Sequence, residues 1–367
     1  MTDAADPRRS IEIEYWVVDD DGYLTDPGPL VDAAPGAERE FVEPVLEVKT
    51  DPCGTTAELR TQLYDRLGRV LAAADDADRR LVPLATPLAA DSIADRGSER
   101  TRIQDRVVGD AFECVRHCAG THLHVEQRPG RAIDQLNVLT AVDPALALVN
   151  SAPHFRGERV AASARSEVYR WRAYDSLPHQ GALWRYAPDT EAWATRLQRR
   201  YEEFVTEAML VGFDRAEVAS QFTPESAVWT PVKLRAAFST VEWRSPDAAL
   251  PSQVLRLADQ VGALLDRLDD AEVRIEGETG AVTDEAVVLP EFETVQRHVD
   301  RAIRTGLSSP ALRSYLTRMG FDVSAFDPLT AEFDAGTLTP ADARDRRLRY
   351  ADRLEQEVRA ATPIGAD

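Results

Sequence analysis

The sequence predicts an α+β fold in which an antiparallel sheet of about six strands, packed on helices, forms an open polar cavity. Three observations carry that expectation. Four short segments alternate apolar and ionisable residues with period two, so each has one apolar face and one ionisable face. The ionisable faces carry Glu, His and Arg, whereas a merely solvated sheet face would carry Thr, Lys, Ser and Gln. Several segments with helical period then offer apolar stripes to cover the other face of such a sheet.

The first strand spans residues 10–19. Ile11, Ile13, Tyr15 and Val17 point one way and Glu12 and Glu14 the other. Residues two apart on a strand lie roughly 6.5 to 7 Å from each other. That is too far to share a proton but suited to holding neighbouring divalent cations. After an acidic turn at 19–22 and a Pro- and Gly-rich loop to Gly36, residues 41–49 read as a second strand interrupted by Pro44, at an edge or a bulge. Val45, Glu47 and Lys49 share one of its faces, and Glu40 stands seven residues before Glu47 as a further carboxylate at its mouth. The third polar-faced strand, 122–126, groups His122, His124 and Glu126 opposite Leu123 and Val125. The fourth, 239–244, groups Thr240, Glu242 and Arg244 opposite Val241 and Trp243, and residues 229–235 lead into it. Such a set of carboxylates, imidazole and guanidinium suits oxygen-and-nitrogen metal coordination beside an anion.

Thr55 and Glu58 form a capping box that opens a helix to about Arg80, with Leu59, Leu63, Leu67, Val70 and Leu71 on its stripe. Residues 81–86 read as a short buried strand. Residues 91–105 read as a surface loop whose Arg96, Arg100, Arg102 and Arg106 are either near a phosphate or paired with the abundant acids. Helices are expected over 133–149, 190–210 and 250–268, and further helices from Val287 end in a charged amphipathic one over 340–360. The small residues of 150–157 form a loop that can bring backbone near a ligand. The stretch 169–186, dense in Arg, Trp and Tyr, suits stacking and anion recognition as well as packing.

No composition shift, linker or repeat divides the 367 residues. The expectation is a single catalytic unit over 1–367, with a core over 10–270 and a helical addition over 287–367 that reads as packing or an oligomer contact. No apolar run approaches the roughly 18 residues of a membrane span, and the first residues lack an apolar signal core, so a soluble cytoplasmic protein without a membrane partner is expected. The net charge of −20 disfavours nucleic acid as a partner. Among 43 basic residues only Lys49 and Lys233 are lysines. So acidic and lysine-poor a surface fits a salt-rich cytoplasm. It predicts a melting temperature that climbs as potassium chloride is raised towards molar concentration. Cys53, Cys114 and Cys118 suit a reducing compartment rather than a disulfide framework.

Taken together, Glu12-x-Glu14, Glu47, Gly120-Thr121-His122-Leu123-His124-Val125, Asn150-Ser151-x-Pro153-x-Phe155-x-Gly157 with Ser163-x-Arg165, and Thr240-Val241-Glu242-x-Arg244-x-x-Asp247 resemble the glutamate-cysteine ligases of the carboxylate-amine ligase type, glutamate-cysteine ligase family 2. The resemblance runs from about Ile11 to Leu265. It implies a glutamine-synthetase-like catalytic fold and ATP-dependent ligation of the glutamate γ-carboxylate to the amine of cysteine through an acyl phosphate. Its products would be γ-glutamylcysteine, ADP and phosphate, and its small-molecule partners glutamate and cysteine. It further implies magnesium, with manganese as the alternative ion, held by Glu12, Glu14, Glu47, His122 and Glu242, with Glu40 added. Arg244 would meet the transferring phosphate, assisted by Arg165 and Arg235, and Lys49 would join Arg244 and Arg165 in binding ATP. Phosphoryl transfer to a carboxylate calls for metals and arginine rather than a strong base, which agrees with this set. The chain departs from the family pattern at Ser10, where glycine is usual, and at the bulky His154, departures that bear on the acceptor pocket. The competing readings are the same ligase chemistry with another amine, a metal-dependent hydrolase built on His122-x-His124, and an acidic metal-binding protein without turnover.

Overall fold

β1 (Arg9–Asp19) is the longest strand of the protein, and it is extended because β-branched and aromatic residues alternate with Glu12 and Glu14 along it. The computed structural model describes residues 7–361 apart from Asp175 and Ala335. β1 joins β2 (Ala37–Arg39), β3 (Val45–Lys49), β4 (Arg79–Val82) and β5 (Thr121–Glu126) in one antiparallel sheet. A separate hairpin, β6 (His154–Phe155) with β7 (Glu158–Arg159), precedes the last two strands of that sheet, β8 (Val232–Arg235) and β9 (Thr240–Trp243). The lateral order is β2-β3-β1-β5-β9-β8, with β4 also paired to β1, so the sheet has seven strands. The predicted α+β class, with its antiparallel sheet, is what the chain adopts.

Ile11, Ile13, Tyr15, Leu46, Val48, Leu123, Val125, Val241 and Trp243 are all buried on one face. The helices α1 (Thr56–Asp76), α3 (Ala132–Ala141) and α8 (Pro251–Asp266) pack there, and α11 (Pro340–Ala361) lies over β4 and α1. Ser252 and Tyr64 both hydrogen-bond Glu357, which ties α11 to α8 and α1. Between them in sequence come α2 (Glu99–Val108), α4 (Ala164–Trp171), α5 (Thr190–Leu210), α6 (Arg215–Gln221), α7 (Pro224–Ala227), α9 (Phe292–Arg304) and α10 (Pro310–Arg318). A small sheet of β10 (Glu272–Ile275), β11 (Ala281–Val282) and β12 (Ala286–Leu289) precedes α9. The region from Val287 therefore opens on a strand before it turns helical.

The structure corrects several expected boundaries. The second strand begins at Val45, not Phe41: Pro44 has no N–H to give a ladder, and its carbonyl instead accepts the Val17 N–H at 2.8 Å. The buried run at 81–86 is paired only over Arg79–Val82, since Pro83 interrupts it. The supposed loop 91–105 contains α2, whose charge hides its buried stripe of Thr101, Ile103, Val107 and Val108. Ser98 caps α2 by accepting the Thr101 N–H at 3.0 Å. The single helix expected over 133–149 breaks after Ala141 and continues as a 3-10 turn bent by 56°, with Pro144 beside the break. Among the described residues no single helix is long and apolar enough to cross a membrane, and this bent pair is buried in the core.

Candidate active site

Antiparallel register turns the four alternating segments into a grid. Lys233 pairs with Glu242, Glu242 with His124, and His124 with Ser10. His122 pairs with Glu12 and Glu12 with Lys49, while Glu14 pairs with Glu47 and Glu47 with Glu38. Positions two apart on each strand face the same way, so these three rows stack on the sheet face opposite the core. Above them lies a cavity of about 460 Å³ lined by Glu12, Glu14, Glu40, Glu47, Lys49, His122, Arg165, Arg235 and Arg244 among others. Every site residue expected from the sequence thus borders this cavity except Glu242, which is wholly buried beneath it.

Glu242 is the hub. Its Oε2 accepts from Arg235 Nη1 at 2.7 Å and lies 3.7 Å from Lys233 Nζ, and its Oε1 accepts from Arg244 Nη1. Burial pushes the Glu242 carboxyl up, but Arg244, Lys233 and the two histidines outweigh it and hold it well below the usual range. Glu12 behaves alike: burial opposes ionisation, and the hydrogen bond from His122 together with the nearby His124 imidazole prevails and keeps its pKa low. Burial lowers His122 to about 4, so near neutral pH its imidazole is uncharged and has a lone pair to donate. The remaining carboxyls go the other way. Desolvation lifts Glu14 and Glu40 to about 7 and Glu47 to about 8, with neighbouring carboxylates adding to the rise. A face that must both ionise these acids and hold them together lacks positive charge.

The donor chemistry fits divalent cations. Glu12, Glu47 and His122 present ligand atoms within 4.8 Å of one another, as do Glu12, His124 and Glu242, and Glu14, Glu40 and Glu47. Glu12 and Glu47 are each shared by two of these sets. His124 Nε2 is buried without a hydrogen bond yet lies 3.6 Å from Glu12 and 3.7 Å from Glu242. Such an orphaned nitrogen between two carboxylates has a lone pair that could serve a divalent ion.

Other sequence expectations change on folding. Glu126, on the same strand face as the histidines, leaves the cavity and pairs with Arg8 at 2.9 Å. Arg165 does not extend free into the cavity: its Nη1 and Nη2 donate to the carbonyls of Ser245 and Arg244 at 3.2 and 3.1 Å, which braces the end of β9. Arg96, Arg102 and Arg106 are tied to Asp26, Glu99 and the Val211 carbonyl, respectively. His154 donates from Nε2 to the Gly336 carbonyl at 2.8 Å and does not line the cavity.

Sequence reasoning left His124 out of the ligand set implied by the resemblance and did not place Lys233 in the site, whereas the stretch 169–186, read as suited to stacking, supplies Tyr169 and Tyr174 to an aromatic wall with Trp229, the Tyr169 and Trp229 centroids being 3.9 Å apart. It also missed the buried Asp143, which accepts from Trp243 Nε1 at 2.9 Å and Arg170 Nη1 at 2.8 Å and fixes β9 from below. One signal for Lys233 was present. The chain's only two lysines, Lys49 and Lys233, both line this cavity.

Gly120 permits the arrangement. Its N–H donates to Glu14 Oε2 at 2.5 Å, and a Cβ placed on it would stand 2.1 Å from Arg165 Nη2. Gly120→Ala should displace that guanidinium, lower the denaturation free energy by about 1 to 3 kcal/mol, and cut turnover. Paired urea titration and activity assays would measure both.

The sequence model of glutamate-cysteine ligase family 2 matches residues 17–321. No curated protein matches the chain in sequence. Among solved structures it resembles a bifunctional glutathione synthetase from Pasteurella multocida at a TM-score of 0.53 and 16% identity, covering 99% of this chain and 51% of that one. The chain therefore spans about half the length of that enzyme. It also resembles a glutamate-cysteine ligase from Francisella tularensis in complex with AMP, at a TM-score of 0.52 and 12% identity over 99% of this chain and 96% of that one. At these identities the likeness concerns the fold.

Proposed function

The chain belongs to glutamate-cysteine ligase family 2, and from that premise we propose that it joins the γ-carboxylate of glutamate to the amine of cysteine, with ATP as phosphoryl donor. The observation that carries the reading is the single sheet face on which five glutamates, two histidines and the guanidinium groups of Arg235 and Arg244 meet over one cavity. In this reading the bond between the β-bridging oxygen and the γ-phosphorus of ATP breaks, and the glutamate γ-carboxylate takes the phosphoryl group as an acyl phosphate. The amine attacks the acyl carbon, loses a proton, and phosphate leaves. Glu12, Glu47 and His122, Glu12, His124 and Glu242, and Glu14, Glu40 and Glu47 are the sets that would hold magnesium or manganese. Bound there, the ions would neutralise phosphate charge and polarise the reacting oxygens.

The chain's own residues supply the rest. Arg235 and Arg244, both anchored on Glu242, face the charge spread over the transferring phosphoryl oxygens. The Nε of Arg244 is buried with no hydrogen-bond partner among the described residues, which leaves a donor for an anion. Lys49, held between Glu47 at 2.7 Å and Glu38 at 2.9 Å, offsets the acids at the far edge of the grid. The aromatic wall excludes water from the acyl phosphate. A second reading, the same chemistry with another amine, draws on the apolar side of the cavity, where Phe112, Val115, Tyr169 and Tyr174 line it. Phosphate release from ATP with glutamate fixed and a panel of amines, products identified by mass, tests both. A requirement for cysteine establishes the first reading, and turnover with a different amine replaces it with the second.

The raised carboxyls give a pH test. Near pH 7, Glu14, Glu40 and Glu47 share protons that a divalent ion must displace. Calorimetric magnesium titrations in buffers of different ionisation enthalpy should show proton release, with affinity rising through about pH 7 to 8. For stability the sign is fixed by the upward shifts: the contribution is complete below the ordinary carboxyl value of 4.5 and is lost as pH passes through about 7 to 8. The metal-free melting temperature should fall across that window, and magnesium should recover more of it at the alkaline end.

A further inference from the structure

Among the described residues, an inventory of the cations around the cavity leaves one that neither has a carboxylate in ion-pair reach nor offsets a buried one. Lys49, Lys233, Arg235 and Arg244 each stand within 4 Å of a glutamate. Arg165 has no carboxylate that close among the described residues, but it offsets Glu14 and the buried Asp247 electrostatically. Arg100, half-buried on α2, does neither. Its Nη1 donates to the Gln221 carbonyl at 3.0 Å and its Nη2 to the Ser226 carbonyl at 2.6 Å, and the guanidinium carbon lies 4.3 Å from the Phe222 ring centroid. Burial alone acts on its pKa, which it lowers. In a chain of net charge −20, a guanidinium fixed by carbonyls and an aromatic ring, with no carboxylate within ion-pair distance among the described residues, is suited to meet an anion that arrives from outside.

The neighbours agree. Gln104 follows Arg100 by one helical turn on the same face of α2 and also lines the cavity, and Val108 comes one turn later. The adjoining residue of the segment that anchors Arg100, Glu225, pairs with Arg235, which in turn pairs with Glu242. Arg100 therefore lines the cavity beside the segment that carries Glu225, without joining the cation cluster on Glu242. On the ligase reading, the nucleotide phosphates are met by Arg235, Arg244 and the metal ligands. Each amino-acid substrate still brings an α-carboxylate, and the charges of Lys49 and Arg165 are already offset, by Glu47 and Glu38 and by Glu14 and Asp247 respectively.

We propose that Arg100, with Gln104 beside it, receives the α-carboxylate of an amino-acid substrate, so that the enzyme selects an α-amino acid over the corresponding amide or simple amine. This rests on the ligase reading given above. The shared chemistry is a carboxylate met by a forked guanidinium and an amide. Its two sources are glutamate and the acceptor.

The experiment is a calorimetric comparison of wild type, Arg100→Gln, Arg100→Lys and Gln104→Ala, with magnesium and a non-hydrolysable ATP analogue present. The probes are L-glutamate, L-cysteine and their α-carboxamides. Wild type should prefer one acid over its amide by on the order of tenfold to a hundredfold. Arg100→Gln should erase that preference and Arg100→Lys should restore part of it. Gln104→Ala, which leaves the anchors of Arg100 in place, should weaken the preference several-fold. Loss confined to the glutamate pair assigns the site to glutamate, and loss confined to the cysteine pair assigns it to the acceptor. A wild type indifferent to amidation, or an Arg100→Gln variant that weakens only the nucleotide, would overturn the proposal. If wild type turns over ATP while the acid-to-amide ratio ignores Arg100, this inference falls and the ligase reading stands. If no amino acid binds and no turnover occurs, both fall.

Discussion

Glu242→Gln should lose turnover by on the order of a thousandfold and destabilise the metal-free protein by about 3 to 5 kcal/mol. Both effects follow from one geometry. Glu242 is fully buried and accepts from Arg235 and Arg244, with Lys233 Nζ 3.7 Å away. The amide removes the only carboxylate within ion-pair reach of Arg244 among the described residues, and it leaves its cationic neighbours crowded in low dielectric. It also presents an NH₂ where donors already point. Burial lowers Lys233 to about 7 even with Glu242 ionised, so its charge is the first to be surrendered in the variant. Urea denaturation gives the stability and phosphate release gives the rate. A variant that keeps both would remove β9 from the working site.

Arg244→Lys should separate the two effects that Glu242→Gln combines. Burial pulls the Arg244 guanidinium down, but Glu242 first, then Tyr169, Glu12 and Glu14, carry its pKa above the ordinary value. Lysine keeps that charge beside Glu242, so the denaturation midpoint should move by no more than about 1 kcal/mol. It loses the planar fork that can hold Glu242 with one nitrogen and a phosphoryl oxygen with another. We therefore expect the turnover number to fall by on the order of a hundredfold or more, while nucleotide affinity changes little. Equal losses in binding and turnover would instead place Arg244 on the ground-state nucleotide.

How much of this was legible in the chain differs by element. The period-two segments at Glu12-x-Glu14, His122-x-His124 and Glu242-x-Arg244 were readable because a strand's alternation is a local property of its backbone. The helix α2 was not, because its apolar stripe is short and its exposed face is dense in arginine and acid. The extent of strand β3 was misjudged at Pro44, where a missing N–H ends pairing although the neighbouring residues favour it. Lys233 was overlooked although it is one of only two lysines, since scarcity was read as a property of the surface. Where arginine is the default cation, a lysine marks a place that wants a compact point charge.

The sequence by itself determined the fold class, the apolar and ionisable faces of each strand, and the membership of a ligase family, because alternation, capping and motif order need no partner to be read. The tertiary structure alone decided which acids come within reach of a common ion, which carboxyls are pushed above their ordinary range, and which arginine among the described residues is left without a carboxylate partner. Those depend on lateral register and burial, which bring Glu14 opposite Glu47 and His124 opposite Glu242 from distant parts of the chain. Charge interactions fall with distance and strengthen as water is excluded, so they exist only once the sheet has closed over its cavity.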